Sequence, residues 1–176
     1  MKTKPKIVVV TGAESTGKST LAESLSSYFN APVIPEFARE YVEKLDRRYN
    51  YHDVEVIAQK QVDQLKSFLK KEHQVIFVDT WLIITKVWFE VVFQQVPEWL
   101  ENEIRSLKID LFLVCNIDLP WIPDLVRENG GENRRILQNM YIENIKKYNF
   151  TFHMVNGEEQ SRFENALEPV KLLMKK

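Results

Sequence analysis

Residues 12–19 read Gly-Ala-Glu-Ser-Thr-Gly-Lys-Ser and fit the pattern G-x-x-x-x-G-K-[ST] at every fixed position. The chemistry this spacing suits is phosphate binding. Gly12 and Gly17 allow backbone geometry that a side chain would obstruct, so successive amides can face one anion. Lys18 supplies a point charge for the outer phosphates, and Ser19 a hydroxyl suited to Mg2+. Before the loop, "KIVVVT" (6–11) reads as a strand; after it, Lys18 to about Phe29 reads as a helix whose positive dipole end faces the same anion. A chance match on a strand–turn–helix unit that binds nothing is expected in well under about one in a hundred chains of this length. Glu14 can face solvent or approach the site from the side, and its residue type alone gives it no role.

In a parallel sheet the ligand crevice lies beyond the carboxyl ends of the strands, so the residues closing the other apolar runs are the next candidates. "VIFVD" ends in Asp79, a carboxylate that can meet Mg2+ directly or through water, or else cap the helix that follows. The second run ends in Glu36 within "PEFAREY", where Glu36, Arg39 and Glu40 stand three and four residues apart and can share a face. Glu36 can bind a substrate hydroxyl or take its proton, and Arg39 can hold a phosphate or orient Glu36. The alternative there is an exposed ion pair worth a few tenths of a kcal/mol. The fourth run closes with "CNID", which lacks the Asn-Lys-x-Asp of guanine-specific GTPases: Ile117 follows Asn116, and Asp118 comes one place early. Beyond it, Arg127, Arg134 and Arg135 surround Gly130 and Gly131. Arginines on a hinged segment of about residues 120–136 can close over phosphates and exclude water; the alternative is a solvated helix start. Trp81 and Trp121 can stack on a flat base or pack in the core, while Trp88, Phe89, Val92 and Phe93 read as the packing face of a helix. Arg47 and Arg48 read as a solvated helix end.

The elements that must position these groups follow from hydrophobic patterning. "KIVVVT" (6–11), "APVIPE" (31–36), "QVIFVD" (74–79), "DLFLVC" (110–115) and "FTFHMV" (150–155) are short apolar runs without alternation, as in strands buried on both faces. Segments of helical period separate them; in "YHDVEVIAQKQVDQLKSFLKK", Val54, Ile57, Ala58, Val62, Leu65 and Leu69 form one apolar stripe. Alternation of this kind predicts an α/β fold with a parallel sheet covered on both sides.

With 176 residues, 44% of them hydrophobic and 28% charged, the chain suits a single domain with a full core. Its net charge of −1 offers no general attraction to nucleic acid or to an anionic membrane. Cys115 is the only cysteine, which excludes an intrachain disulfide, and it sits in an apolar run as a small buried hydrophobe. No apolar run reaches the roughly 18 residues of a membrane span, so a cytoplasmic location is expected.

"GAESTGKST", "PEFAREYVEKL", "FVDT" and "LPWIPDLVR" resemble the ribosylnicotinamide kinase domain of the NadR family of P-loop proteins, from about Ile7 to the C-terminus. The resemblance implies a P-loop NTPase three-layer sandwich with a five-stranded parallel sheet, nucleoside/nucleotide kinase-like, over residues 1–176. It implies transfer of the ATP γ-phosphate to the 5′-hydroxyl of nicotinamide riboside. ATP phosphates would then lie on Gly12, Ala13, Glu14, Ser15, Thr16, Gly17, Lys18, Ser19 and Thr20, with Mg2+ between Ser19 and Asp79. Glu36, Arg39, Trp81, Trp121 and Asp124 would face the acceptor, and Arg127 and Arg134 would match the lid arginines. Trp81 stands where the family often has a carboxylate, and Asp124 is followed by Leu125 where the family commonly has glycine. His52, His73 and His153 form no His-x-Gly-His motif, so dinucleotide synthesis is not expected of this polypeptide. Three alternatives stay open: a non-catalytic or weakly hydrolytic ATP-binding module reporting nucleotide state to a partner such as a vitamin transporter, a kinase for another nucleoside or vitamin alcohol, and a nucleoside monophosphate kinase.

Overall fold

A computed structural model describes residues 4–123 and 128–175. Five strands, β1 (Lys6–Thr11), β2 (Val33–Ile34), β3 (Val75–Asp79), β4 (Leu111–Cys115) and β5 (Phe152–Val155), form one sheet in the order β2-β3-β1-β4-β5. Every pairing is parallel; Val10 stands beside Asp79 on one flank of β1 and beside Leu113 on the other. The expected five strands are present, shortened where the flanking residues take turns. β2 shrinks most, because Pro32 and Pro35 bracket Val33 and Ile34 and withhold two ladder donors.

The unalternating apolar runs have a direct structural cause. Ile7, Val9, Ile76, Val78, Phe112 and Val114 enter one hydrophobic cluster, and Val8, Val10, Val75, Phe77, Leu111 and Leu113 enter the other on the opposite face. Side chains alternate across the sheet, but both faces are dry, so every position must be apolar. One face is covered by α1 (Lys18–Phe29) and α7 (Glu159–Met174). The other lies under α3 (Tyr51–Leu69), α4 (Leu82–Trp88), α5 (Glu98–Ser106) and α6 (Gly131–Lys147). The short α2 (Phe37–Glu43) follows β2, and α4 runs into a single π turn, Phe89–Phe93. Three layers result, with β1 at the centre, where the chain's path through the sheet reverses from β3 to β4. A crevice therefore opens beyond the carboxyl end of β1. Among the described residues, no helix is long and apolar enough to cross a membrane.

Candidate active site

The loop after β1 is shaped by close approach. Gly12 has φ +140°, and a Cβ there would come 2.6 Å from the Cys115 carbonyl oxygen and 3.2 Å from Thr16 Oγ1. Gly17, at φ +73°, stands at the N-cap of α1, which has no side-chain cap and no acidic residue in its first turn. The amides of that turn and its dipole are thus left for an anion. Thr16 Oγ1 and Lys18 Nζ each donate to Ala13 O at 2.8 Å, so the lysine is folded along its own loop.

α6 braces this loop from behind. Gln138 Oε1 accepts from Ala13 N at 2.8 Å, while its Nε2 donates to Cys115 O at 2.9 Å. Arg134, 7% exposed, donates from Nε to Glu14 O, from Nη1 to Leu119 O and from Nη2 to Ser15 O, each at 2.8 Å. This corrects two sequence expectations. Ala13 spends its amide on Gln138 instead of a phosphate, and Arg134 grips three loop carbonyls instead of standing over the phosphates. A planar fork of five donors suits that bracing role.

Glu14 acquires a role its residue type did not suggest. Its Oε1 accepts from Asn129 Nδ2 (3.1 Å) and Glu128 N (3.3 Å), and its Oε2 from Asn129 N (3.1 Å) and Trp121 Nε1 (3.2 Å). Ser15 adds a reciprocal pair, its Oγ donating to Ile122 O and accepting from Ile122 N. The carboxylate in the phosphate loop therefore ties down both arms of the expected lid. Asp124 and Arg127 lie outside the described residues. Arg135 is exposed and paired with Glu132.

The flanking strands deliver the carboxylates. Asp79 closes β3 beside Ser19; the residue is 4% exposed, and its Oδ1 has no hydrogen-bond partner among the described residues. Burial pushes its carboxyl up to about 6, against the opposing effects of the Ser19 hydroxyl and the Lys18 charge. Thr80 follows at φ +60°, unusual for a β-branched residue, and lines the crevice. Glu36 precedes α2 and lines the crevice with Arg39, which pairs with Glu43 at 3.7 Å. Glu40 turns outward to Lys44, so the predicted triad is divided between cleft and solvent.

Together these elements wall a cavity of about 360 Å3. The phosphate loop forms one side, Glu36, Arg39 and Val42 another, and Gln61, Ile84, Thr85, Trp88, Val91 and Val92 a third, with Tyr49 and Tyr141 also in the lining. Trp81 is not there. It is 1% exposed and packs against Phe112 and Phe150, with ring centroids 6.4 and 6.3 Å away. The positive-φ turn at Thr80 sends Trp81 into the core, so the expected acceptor contact is corrected. Trp121 likewise lies against Gly130 and Glu14, not in the lining.

Trp88, read from sequence as core packing, meets Tyr49 edge-on in the wall at 4.7 Å. The π turn after it leaves Val91 49% and Val92 41% exposed on the same wall while Phe89 stays buried. Tyr49 Oη also donates to Glu128 Oε2 at 3.3 Å. Arg47 is no free helix end: it donates to both carboxylate oxygens of buried Asp53, at 2.6 and 2.9 Å. That bond, with the Asn50 capping box, holds the Asp53 carboxyl well below the usual range. Cys115 is fully buried, and burial pushes its thiol up to about 11, which leaves it protonated and unreactive at neutral pH.

Comparison with known proteins matches the AAA domain family over residues 7–162. The chain is 27% identical over 175 residues to the trifunctional NAD biosynthesis/regulator protein NadR of Salmonella typhimurium, covering 96% of this chain and 43% of that protein. It thus spans less than half the length of that relative. A crystal structure of NadR protein in complex with NR superposes with a TM-score of 0.80 at 23% identity, over 98% of this chain and 51% of that one. Thymidylate kinase from Ehrlichia chaffeensis superposes at 0.65 with 15% identity, covering 97% of this chain and all of that one (100%). These similarities match the resemblance seen in the sequence motifs and the P-loop nucleoside-kinase fold.

Proposed function

The chain belongs to the AAA domain family, and from that membership and its site we propose that it is an ATP-dependent kinase for nicotinamide riboside. The proposed reaction moves the ATP γ-phosphate to the riboside's 5′-hydroxyl, giving ADP and nicotinamide mononucleotide. One observation carries the reading: the phosphate loop opens into a cavity whose far wall is largely aromatic and aliphatic, built by Ile84, Trp88, Val91 and Val92, with Glu36 and Arg39 set between. Bare hydrolysis needs no such chamber, whereas a flat nucleoside does. The 27% identity to NadR and the likeness to NadR in complex with NR support this acceptor over other nucleosides.

In this reading, the loop from Glu14 to Thr20 cradles the ATP phosphates while Ala13 stays bonded to Gln138, and Lys18 leaves Ala13 O to meet the outer phosphates. Ser19 and Asp79 would hold Mg2+. The fit rests on a hydroxyl and a carboxylate side by side, with Asp79 Oδ1 buried and unpartnered among the described residues, as a hard cation with few protein ligands requires. Bound there, Mg2+ would neutralise charge on the transferring phosphoryl group. Glu36 is the carboxylate that orients the acceptor hydroxyl and takes its proton as the new O–P bond forms, because it lines the cavity and Asp79 does not. Arg39 offsets the charge of Glu36 and of the incoming phosphates. Arg127 would add a lid cation by resemblance, with residues 1–176 acting as one kinase domain. An acceptor that already carries a phosphate fits less well, because Arg47 is committed to Asp53.

The test is ADP release and product mass with MgATP and nicotinamide riboside, comparing the natural protein with Lys18→Ala. The variant should lose on the order of a thousandfold or more in kcat/KM. Equal turnover by both proteins would overturn the proposal.

A further inference from the structure

Gln61 on α3 and Thr85 on α4 take no part in phosphate handling, yet both line the cavity. They are 7% and 2% exposed, and Thr85 Oγ1 donates to Gln61 Oε1 at 2.7 Å. The rest of their wall is Ile84, Trp88, Val91 and Val92, so this pair is its polar point. In an apolar pocket, a few fixed polar groups set ligand orientation.

The hydrogen bond decides what the pair can offer. It spends the glutamine's oxygen and the threonine's hydrogen. The glutamine NH2, a donor, and a threonine lone pair, an acceptor, are left side by side. A primary carboxamide presents the complement, an oxygen that accepts beside a nitrogen that donates. A carboxylate presents acceptors alone. To bind one, Thr85 would have to turn its hydrogen away from Gln61, leaving Gln61 Oε1 buried without a donor.

We infer that Gln61 and Thr85 read the carboxamide of a pyridine nucleoside and reject the corresponding carboxylate. With the acceptor hydroxyl held at the phosphate loop, the heterocycle reaches toward the α3–α4 wall, where Trp88 covers its face and the pair meets its edge. The inference rests on the proposed kinase reaction and adds which ring substituent is selected.

The test measures kcat/KM for nicotinamide riboside and nicotinic acid riboside with the natural protein, Gln61→Met, Thr85→Val and Thr85→Ser, each checked for folding by thermal melt. The natural protein should prefer the carboxamide by about ten- to a hundredfold, the range for leaving a buried polar group unpaired. Gln61→Met and Thr85→Val should bring the ratio within about threefold of unity, while Thr85→Ser, which keeps the hydroxyl, should retain it. A pair that merely joined α3 to α4 would alter the melting temperature and leave the ratio alone. Equal use of both nucleosides by the natural protein, or a ratio unchanged in Gln61→Met and Thr85→Val, overturns the inference and leaves the kinase reading standing. No product from either nucleoside overturns both.

Discussion

Removing the charge of Asp79 should make the protein more stable and much less active. The folded-state pKa of about 6 stands above the ordinary 3.8, because burial outweighs the help of Ser19 and Lys18. Between those two values the native state binds more protons than the unfolded chain. Stability therefore falls as pH rises through the window, and above it the whole cost of the buried charge remains. At ~1.4 kcal/mol per pH unit, that cost is ~3 kcal/mol near pH 7.5. The Asp79→Asn substitution keeps an oxygen beside Ser19 and exchanges an unpartnered oxygen for an unpartnered NH2, so the penalty for an unsatisfied atom about cancels. Denaturant unfolding of this variant in EDTA without nucleotide at pH 7.5 should show a gain of ~2–3 kcal/mol, or about 5–10 °C in Tm. The gain should shrink to ~0.5 kcal/mol by about pH 4 and vanish near pH 3, where both states hold the proton. The same variant should lose about a hundredfold or more in phosphoryl transfer. Equal or lower stability than the natural protein at pH 7.5, or a gain unchanged at pH 4, would refute the electrostatic argument.

The two tryptophans should separate cleanly. Trp81→Phe should cost ~1–2 kcal/mol of stability with the acceptor KM unchanged, whereas Trp88→Ala should raise that KM about tenfold, read by steady-state kinetics beside thermal melts. Glu14→Ala strips the shared acceptor from Trp121, Glu128 and Asn129. Amide hydrogen exchange at residues 128 and 129 should then accelerate by about tenfold or more, and kcat/KM for ATP should fall. Unchanged exchange would show that Arg134 and Ser15 hold the lid arms unaided. Arg134→Met leaves three loop carbonyls without their guanidinium and should destabilise the fold by ~2–4 kcal/mol, measured by urea unfolding.

What the amino-acid sequence determined alone is whatever neighbouring residues encode. The loop at 12–19 is legible because Gly12 and Gly17 answer local backbone demands, φ +140° and +73°, within one strand–turn–helix unit. The five strands are legible because a sheet dry on both faces leaves an unbroken apolar run in each. The placing of Asp79 at the end of β3 and of Glu36 after β2 follows from the same pattern. The rest depended on packing between residues distant in the chain. Whether Trp81 or Trp88 reaches the cavity turns on the Thr80 backbone and on Phe112 and Phe150 filling the core, with the π turn re-aiming the far end of α4. Arg134, Arg47 and Glu14 looked like solvated or phosphate-facing charges because a residue type shows its charge but not its partner. Their partners, three loop carbonyls, a buried aspartate and the two lid arms, meet them only once α6, α3 and the phosphate loop are folded together. Local propensity wrote the phosphate cradle, and long-range packing decided which side chains surround it.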